Sequence, residues 1–320
     1  MVFDPPFSIP LSLKRSARVT WIAGVVLGTT CARAPAAPVG ANAADGTQRN
    51  RTQTAPTSPA ESFFGRYQAR VTATQSQQPH WITPLVTVTP RLEQEVRTDF
   101  VHSYNSKRFA IWNYGNGKGL EFIPERHTEV LLNLPPFFNR SNGESDGFGD
   151  VTFLLKERLY ARNEQHGNSI VTVFLGGSVP SGKNGNGLCC ATITPTLAVG
   201  KGFANFDVNS TAGGVLPISG VKTLGRTVVW NTAAQYHLGK QGIRRFLWPE
   251  VESNSSFFFG GTNDGKTQSF VTPGLVAGRI PLTRAPEGRL GLTLGVGEQI
   301  AVTHFHTANH LTVLTVRVPF

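Results

Sequence analysis

The sequence predicts an all-β protein, an antiparallel up-and-down transmembrane β-barrel of about 12 strands. Three observations carry this prediction: period-2 alternation that recurs from residue 81 to the carboxyl terminus, runs longer than soluble strands, and an aromatic final residue, Phe320. Composition points the same way. The 320 residues include 34 Gly, 21 Pro and 21 Phe but one Met, and 16% are charged, below the roughly 25% of an average soluble domain. So turn-rich a chain excludes helical bundles and coiled coils. No mature segment reaches the about 18 consecutive apolar residues of a membrane-crossing helix. The mean hydropathy of −0.13 fits either a soluble protein or a barrel, where lipid-facing and lumen-facing residues alternate and cancel, so periodicity must decide.

At the amino end, Lys14, Arg15 and Arg18 precede the apolar run VTWIAGVVLGTT (19–30), and small residues follow. That order is a secretory signal, and residues 1–43 are assigned to an export segment. Cleavage is open between Ala32-Arg33-Ala34, which Pro35 hinders, and Ala41-Asn42-Ala43. Cys31 sits in a poor lipoprotein signal. Residues 35–60 are rich in Ala, Pro, Thr and Gln with no core-forming pattern, so 44–80 reads as a flexible periplasmic linker and 81–320 as the barrel. The mature chain then keeps Cys189 and Cys190, adjacent in sequence, which excludes a disulfide framework. They read as small loop-edge residues, with a strained bridge between neighbours as the alternative.

Strands are expected near 84–101, 107–123, 126–135, 148–161, 168–179, 190–201, 203–213, 225–239, 247–259, 268–281, 288–303 and 310–320. In the first, Thr87, Thr89, Arg91, Glu93, Glu95, Arg97 and Asp99 alternate with Val86, Val88, Leu92 and Val96. Later, Val151, Phe153, Leu155 and Leu159 oppose Asp150, Thr152, Lys156 and Arg158. Phe206 and Val208 oppose Asn205, Asp207 and Asn209, and Val228, Trp230 and Tyr236 oppose Asn231 and Gln235. Soluble sandwiches alternate too, so length decides: soluble strands centre on about 5–6 residues, while a tilted bilayer-crossing strand needs about 9–11. Short connections such as Lys201-Gly202 alternate with longer Gly-, Asn- and Ser-rich ones (180–189, 212–224, 260–267), as short periplasmic turns and long external loops require. Tyr236, Phe246 and Trp248 gather at one expected rim and Phe257, Phe258 and Phe259 at the other, either as interfacial girdles or as ordinary packing.

The last strand, TVLTVRVPF, sets Leu314, Val316, Val318 and Phe320 against Thr315 and Arg317. It resembles the terminal strand of bacterial outer-membrane barrels, which commonly ends in an aromatic residue. The segment GFGDVTFLLKERL (147–159), with GLEFIPERHTEVLLNLP (119–135) and Gly-Ser-Val-Pro-Ser-Gly (177–182), resembles the MetA-pathway of phenol degradation family of bacterial outer-membrane β-barrel proteins, over most of 81–320. The resemblance implies an outer-membrane barrel that admits small aromatic or other apolar compounds. It supplies no catalytic residue, and it places Asp150 and Lys156 as a lumen-facing pair. The separate likeness of the last strand to the terminal strands of outer-membrane barrels implies that the assembly machinery reads the strand ending in Phe320.

Chemistry is sparse. GNGKG (115–119) and GKNGNG (182–187) lack a following helix and are turns, not phosphate loops. His304, His306 and His310 are the densest ligand-like cluster but have no carboxylate or Cys beside them in sequence, and read as solvated loop histidines. His166 and His237 fall near turns, which disfavours a membrane-embedded lipid hydrolase. The net charge of +10 is dispersed, with no run longer than two, which leaves no nucleic-acid partner. No cofactor, metal site or enzymatic activity is expected. The expected partners are outer-membrane lipids, the assembly machinery and a small-molecule solute. The reading is a passive channel or facilitated uptake route, lined by Arg91, Glu93, Glu95, Arg97, Asp150, Lys156, Arg158, Asn205, Asp207, Asn209, Asn231 and Gln235. The alternative is a non-conducting structural or adhesin barrel that binds partners through its external loops.

Overall fold

The computed structural model describes residues 62–104, 109–141, 144–283 and 289–320; the export segment and the first part of the linker lie outside the described residues. Strand β1 (Glu95–Tyr104) is followed by three strands that each come in two pieces. These are β2 (Ala110–Gly115 and Gly119–Glu125), β3 (Thr128–Asn133 and Phe137–Arg140) and β4 (Gly147–Phe148 and Val151–Arg162). Then come β5 (Ser169–Val179), β6 (Thr192–Phe203), β7 (Phe206–Pro217), β8 (Arg226–Tyr236), β9 (Leu247–Phe259), β10 (Thr267–Pro281), β11 (Gly291–Ala301) and β12 (His310–Pro319). Each is antiparallel to its neighbours, and β12 pairs with β1 from Glu95↔Pro319 to Tyr104↔His310. The sheet is thereby a closed barrel of 12 strands, and closure removes the free edges that an open sheet would expose.

The wall alternates as the pleat demands. Along β4, Val151, Phe153, Leu155 and Leu159 are exposed outward while Lys156 and Arg158 are buried inward. Leu197, Trp230, Val251, Leu275, Val296 and Leu314 continue the outward apolar surface around the barrel. Turns such as Arg126-His127 and Ala204-Asn205 join strands at the end that holds both Glu95 and Phe320, and the longer connections lie at the other end.

The breaks in β2, β3 and β4 lie side by side. Asn116 and Gly117 adopt left-handed backbone (φ 47 and 61), Pro135 and Pro136 remove two ladder donors, and Gly149 and Asp150 interrupt the third strand. The wall is therefore kinked on one side at a single height.

One expected strand is corrected. Pairing over 84–101 begins only at Glu95, and residues 84–94 turn into the lumen. Pro84 and Pro90 cannot donate to a ladder, and apart from the half-buried Val86 and Val88 the segment is buried regardless of parity, because protein surrounds it on all sides. The described part of the expected linker also has structure. Helix α1 (Phe63–Ser76) is capped by Ser62, whose hydroxyl accepts from the Gly65 N–H at 3.1 Å, and its Val71 packs with Leu92 and Ile123.

Candidate functional site

The interior is organised by the chain between α1 and β1. An extended peptide inside a barrel has no strand partner, so its backbone groups must bond to wall side chains or remain unsatisfied. The wall answers donors with carboxylates and acceptors with cations. Glu250 accepts from the Leu85 N–H at 3.0 Å, and Glu252 accepts from the Val86 and Thr87 N–H groups at 2.8 and 2.6 Å. Glu129 accepts from the Glu93 N–H at 2.5 Å. In return Arg317 donates to the Thr83 and Pro84 carbonyls at 2.5 and 2.6 Å, Arg97 to Leu85 at 2.5 Å, and Lys156 to Arg91 at 3.2 Å. Thr172 donates to the Pro90 carbonyl, and Arg279 donates to those of His80 and Trp81.

Apolar knobs complete the seat. A methyl group added to Gly274, Gly295 or Gly297 would lie 2.5–2.6 Å from the Leu85 side chain, so these wall glycines leave the space that Leu85 fills. Gly200 and Gly202 do the same for Trp81, and Gly278 for Ile82. At the turn end, Glu164 between β4 and β5 accepts from the His80 N–H at 2.5 Å and meets its ring Nδ1 at 2.9 Å. Partial burial pushes the Glu164 carboxyl up, but the His80 ring and backbone N–H outweigh that and hold it at about 2.

The inserted segment divides the lumen. Toward the loop end lies a cavity of about 310 Å³ bounded by Leu85, Val86, Asp99, Val101, Lys118 and Val313. Toward the turn end lies one of about 270 Å³ that collects Arg91, Glu93, Glu95, Arg279, Arg289 and Arg317.

The residues expected to line the lumen distribute unevenly. Glu95 and Arg97 face inward from β1, Asp207 and Asn209 from β7, and Gln235 from β8, all buried. Gln235 donates to Glu250 at 2.5 Å, and Asn231, half-buried, donates to Thr211 at 3.3 Å. Lys156 pairs with Glu129 at 3.0 Å, and Arg158 donates to the carbonyls of Thr74 and Arg126.

Others are placed differently. Arg91 and Glu93, an ion pair at 2.9 Å, belong to the inserted segment and not to the wall. Asp150 does not pair with Lys156; it sits in the kink and accepts from the Gly182 and Leu188 N–H groups, which organises the loop 180–191. Asn205 occupies the turn between β6 and β7, beside a mouth cavity of about 430 Å³.

Of the groups that hold the segment, Glu129, Glu250, Glu252 and Arg279 escaped the sequence reading, and Arg317 was placed on the polar face of the last strand but not among the lumen-lining residues. Acidic and basic residues at inward parity in β3, β9 and β12 were the available signal, whereas Arg279 stands at outward parity in β10 and reaches the segment from a left-handed backbone position (φ 58) at a register shift. Trp248 is likewise no girdle residue, since it faces inward, packs against the cluster of Ile82, Leu85 and Val276 and stacks on His237 at 4.2 Å. The three loop histidines do not converge: His306 bonds Thr303 and Asn309, and His310 pairs with Glu298 at 2.6 Å. Cys189 and Cys190 are free thiols with sulfurs 2.8 Å apart.

A solved structure shares this architecture. The crystal structure of the COG4313 outer membrane channel from Pseudomonas putida F1 superimposes with a TM-score of 0.52 at 14% identity, over 75% of this chain and 100% of that one. The chain shares that channel's fold, a closed antiparallel β-barrel. Weaker likenesses are to Pseudomonas aeruginosa OpdK with vanillate (TM-score 0.34, 13% identity, 66% of this chain and 56% of that one) and Acinetobacter baumannii OccAB2 (0.35, 9%, 69% and 59%). No family model matches the chain, and no curated protein sequence does either. In outer-membrane barrels the end with short turns faces the periplasm and the end with long loops faces outward.

Proposed function

We propose that this barrel is a passive channel for small molecules, aromatic and other apolar ones among them, and not an enzyme. The observation that carries the reading is the partitioned lumen, with a cavity of about 310 Å³ on the outer side of the inserted segment and one of about 270 Å³ on the periplasmic side. A solute that moves between them passes the Leu85 constriction, with no coupling to an energy source. The glycine-rich motif at 147–159 supports membership of the MetA-pathway of phenol degradation family, whose members resemble it there. Outer-membrane lipids against the apolar exterior, and assembly machinery engaging the strand that ends in Phe320, are the partners this reading requires.

One observation favours the alternative of a non-conducting barrel that binds partners through its loops: the inserted segment fills the mid-lumen with buried, satisfied contacts. Planar-bilayer recording and solute uptake into proteoliposomes separate the two. The channel reading expects small, reproducible currents and solute entry. Repeated reconstitutions with neither would leave the loop-binding alternative.

A further inference from the structure

The two ends of the barrel carry charge differently. At the loop end cations and carboxylates are interspersed: Arg140 pairs with Glu144 at 3.4 Å, His310 with Glu298 at 2.6 Å, and Lys266 shares a loop with Asp264. At the turn end the carboxylates are engaged or turned inward. Glu125 faces Arg70 at 3.7 Å, Glu157 accepts from the Thr128 hydroxyl at 2.7 Å, Glu164 holds His80, and Asp207 and Glu250 are buried. Lys240 shares the mouth cavity with Glu164 and Asp207. Arg162, Lys201, Arg244 and Arg245 are left exposed on the rim, with no ion pair to any described carboxylate.

These cations sit where the apolar exterior ends. Phe203, Phe206 and Tyr236 are exposed outward side by side, Phe206 being paired in register with both of the others, and Tyr160 is exposed at the same end of β4. Aromatic side chains so placed mark the level at which hydrocarbon gives way to headgroups. The cations lie over rings at that level: Lys201 over Phe203 at 5.8 Å, Arg162 over Tyr160 at 5.5 Å and Arg245 over Phe246 at 4.5 Å. Their stems cover apolar surface while the charged heads stay at the edge, as basic side chains at a bilayer boundary do. Register also gathers them. Arg162 pairs with Ser169 and Ser169 with Lys201, so two cations flank one hydroxyl on the outward face, and Lys201 donates to the Gly167 carbonyl of the adjoining turn at 2.6 Å. Farther round, the connection from β8 to β9 presents Ile243, 73% exposed, next to Arg244 and Arg245. Apolar and basic side chains exposed together at such an edge suit an anionic lipid surface. A soluble anion would find no enclosure on this open rim. A lipid needs none, because its acyl chains are held by the apolar wall. We propose that the turn-end rim binds anionic phospholipid, with phosphates held by Arg162 and Lys201 and by Arg244 and Arg245, and acyl chains against the exterior bounded by Tyr160, Phe203 and Tyr236. The inference gives the lipid partner a headgroup and rests on the reading of the barrel as a membrane protein.

The test incubates the full-length protein in detergent with phosphatidylglycerol, phosphatidylcholine and lipopolysaccharide, and reads retained lipid by native mass spectrometry. Phosphatidylglycerol is expected to be retained at least about fivefold over phosphatidylcholine, since each basic side chain near an anionic surface is worth roughly that factor. R162Q/K201Q/R244Q/R245Q should erase the preference. K183Q/K222Q/R226Q/K266Q, which removes the same charge from the loop end, should keep it; heat-modifiable migration on gels confirms that each variant is a folded barrel. Loss of the preference in the loop-end variant as well, or stronger retention of lipopolysaccharide than of phosphatidylglycerol by the turn-end cations, overturns the proposal. Equal retention of the two phospholipids rejects the site and keeps the membrane reading. No retained lipid of any kind, from protein that stays monodisperse once detergent is removed, rejects the membrane reading and the site with it.

Discussion

Glu252 shows how much of the interior depends on single side chains. It is fully buried, and its two oxygens serve consecutive backbone N–H groups of a segment with no other partner for them. In E252A both donors lose their acceptor, at about 1–3 kcal/mol for each one left buried and unsatisfied. Seating should weaken, and limited proteolysis should cut near residues 81–94 in the variant before it does in the parent. Leu85 is held by shape instead of charge. A valine at position 295 would occupy the niche that Leu85 fills, so G295V should raise channel current by unseating the segment, whereas V296A, on the outward face of the same strand, should change it little.

At the turn-end mouth Glu164 gives the seat a pH dependence. Its carboxyl is held at about 2, below the ordinary value of 4.5, so its contribution is fully present above about 4.5 and is lost as pH falls toward 2. Proteolytic accessibility of the segment around His80, measured with an acid-active protease, should rise across that window in the parent and show no such rise in E164Q.

At the scale of elements, strand parity decides the effect of a charge. Leu197 points outward from the middle of β6 and Ala198 inward. L197R should destabilise the barrel by about 2–4 kcal/mol in urea unfolding from lipid vesicles, as a cation toward mid-bilayer hydrocarbon does. T194R, on the lumen-facing parity of the same strand, should cost much less.

Parity is also what made the wall legible in the sequence. The expected strand over 247–259 matches Leu247–Phe259, and those near 168–179 and 268–281 match within a residue, because one face of each is apolar and exposed and the other faces the polar interior. The same signal misled at 84–94, where Thr87, Thr89, Arg91 and Glu93 alternate with apolar residues but face protein on every side. Pro84 and Pro90 were the available contrary evidence. The kink was illegible for another reason. It arises from short irregularities in three successive strands that meet only when the strands are paired, and no single window of sequence contains them all.

For the molecule as a whole, the barrel and the segment inside it are complementary in every kind of contact: carboxylate to N–H, cation to carbonyl, knob to glycine niche. The wall residues that supply these contacts, among them Glu129, Glu250, Arg279 and Arg317, are scattered over four strands and converge only on closure. This is why the candidate site was less legible than the fold. Inward charge was visible in the sequence, but its partner was a peptide segment assigned to the wall or to a tether.

The account stands on the inserted segment as the constriction of a conducting lumen. Single-channel recording of the parent beside an E250Q/E252Q/R317M variant, each confirmed as a folded barrel, tests it most directly. The account predicts a small conductance for the parent and a several-fold larger one for the variant. Equal conductance in the two, or no current from either, would contradict it.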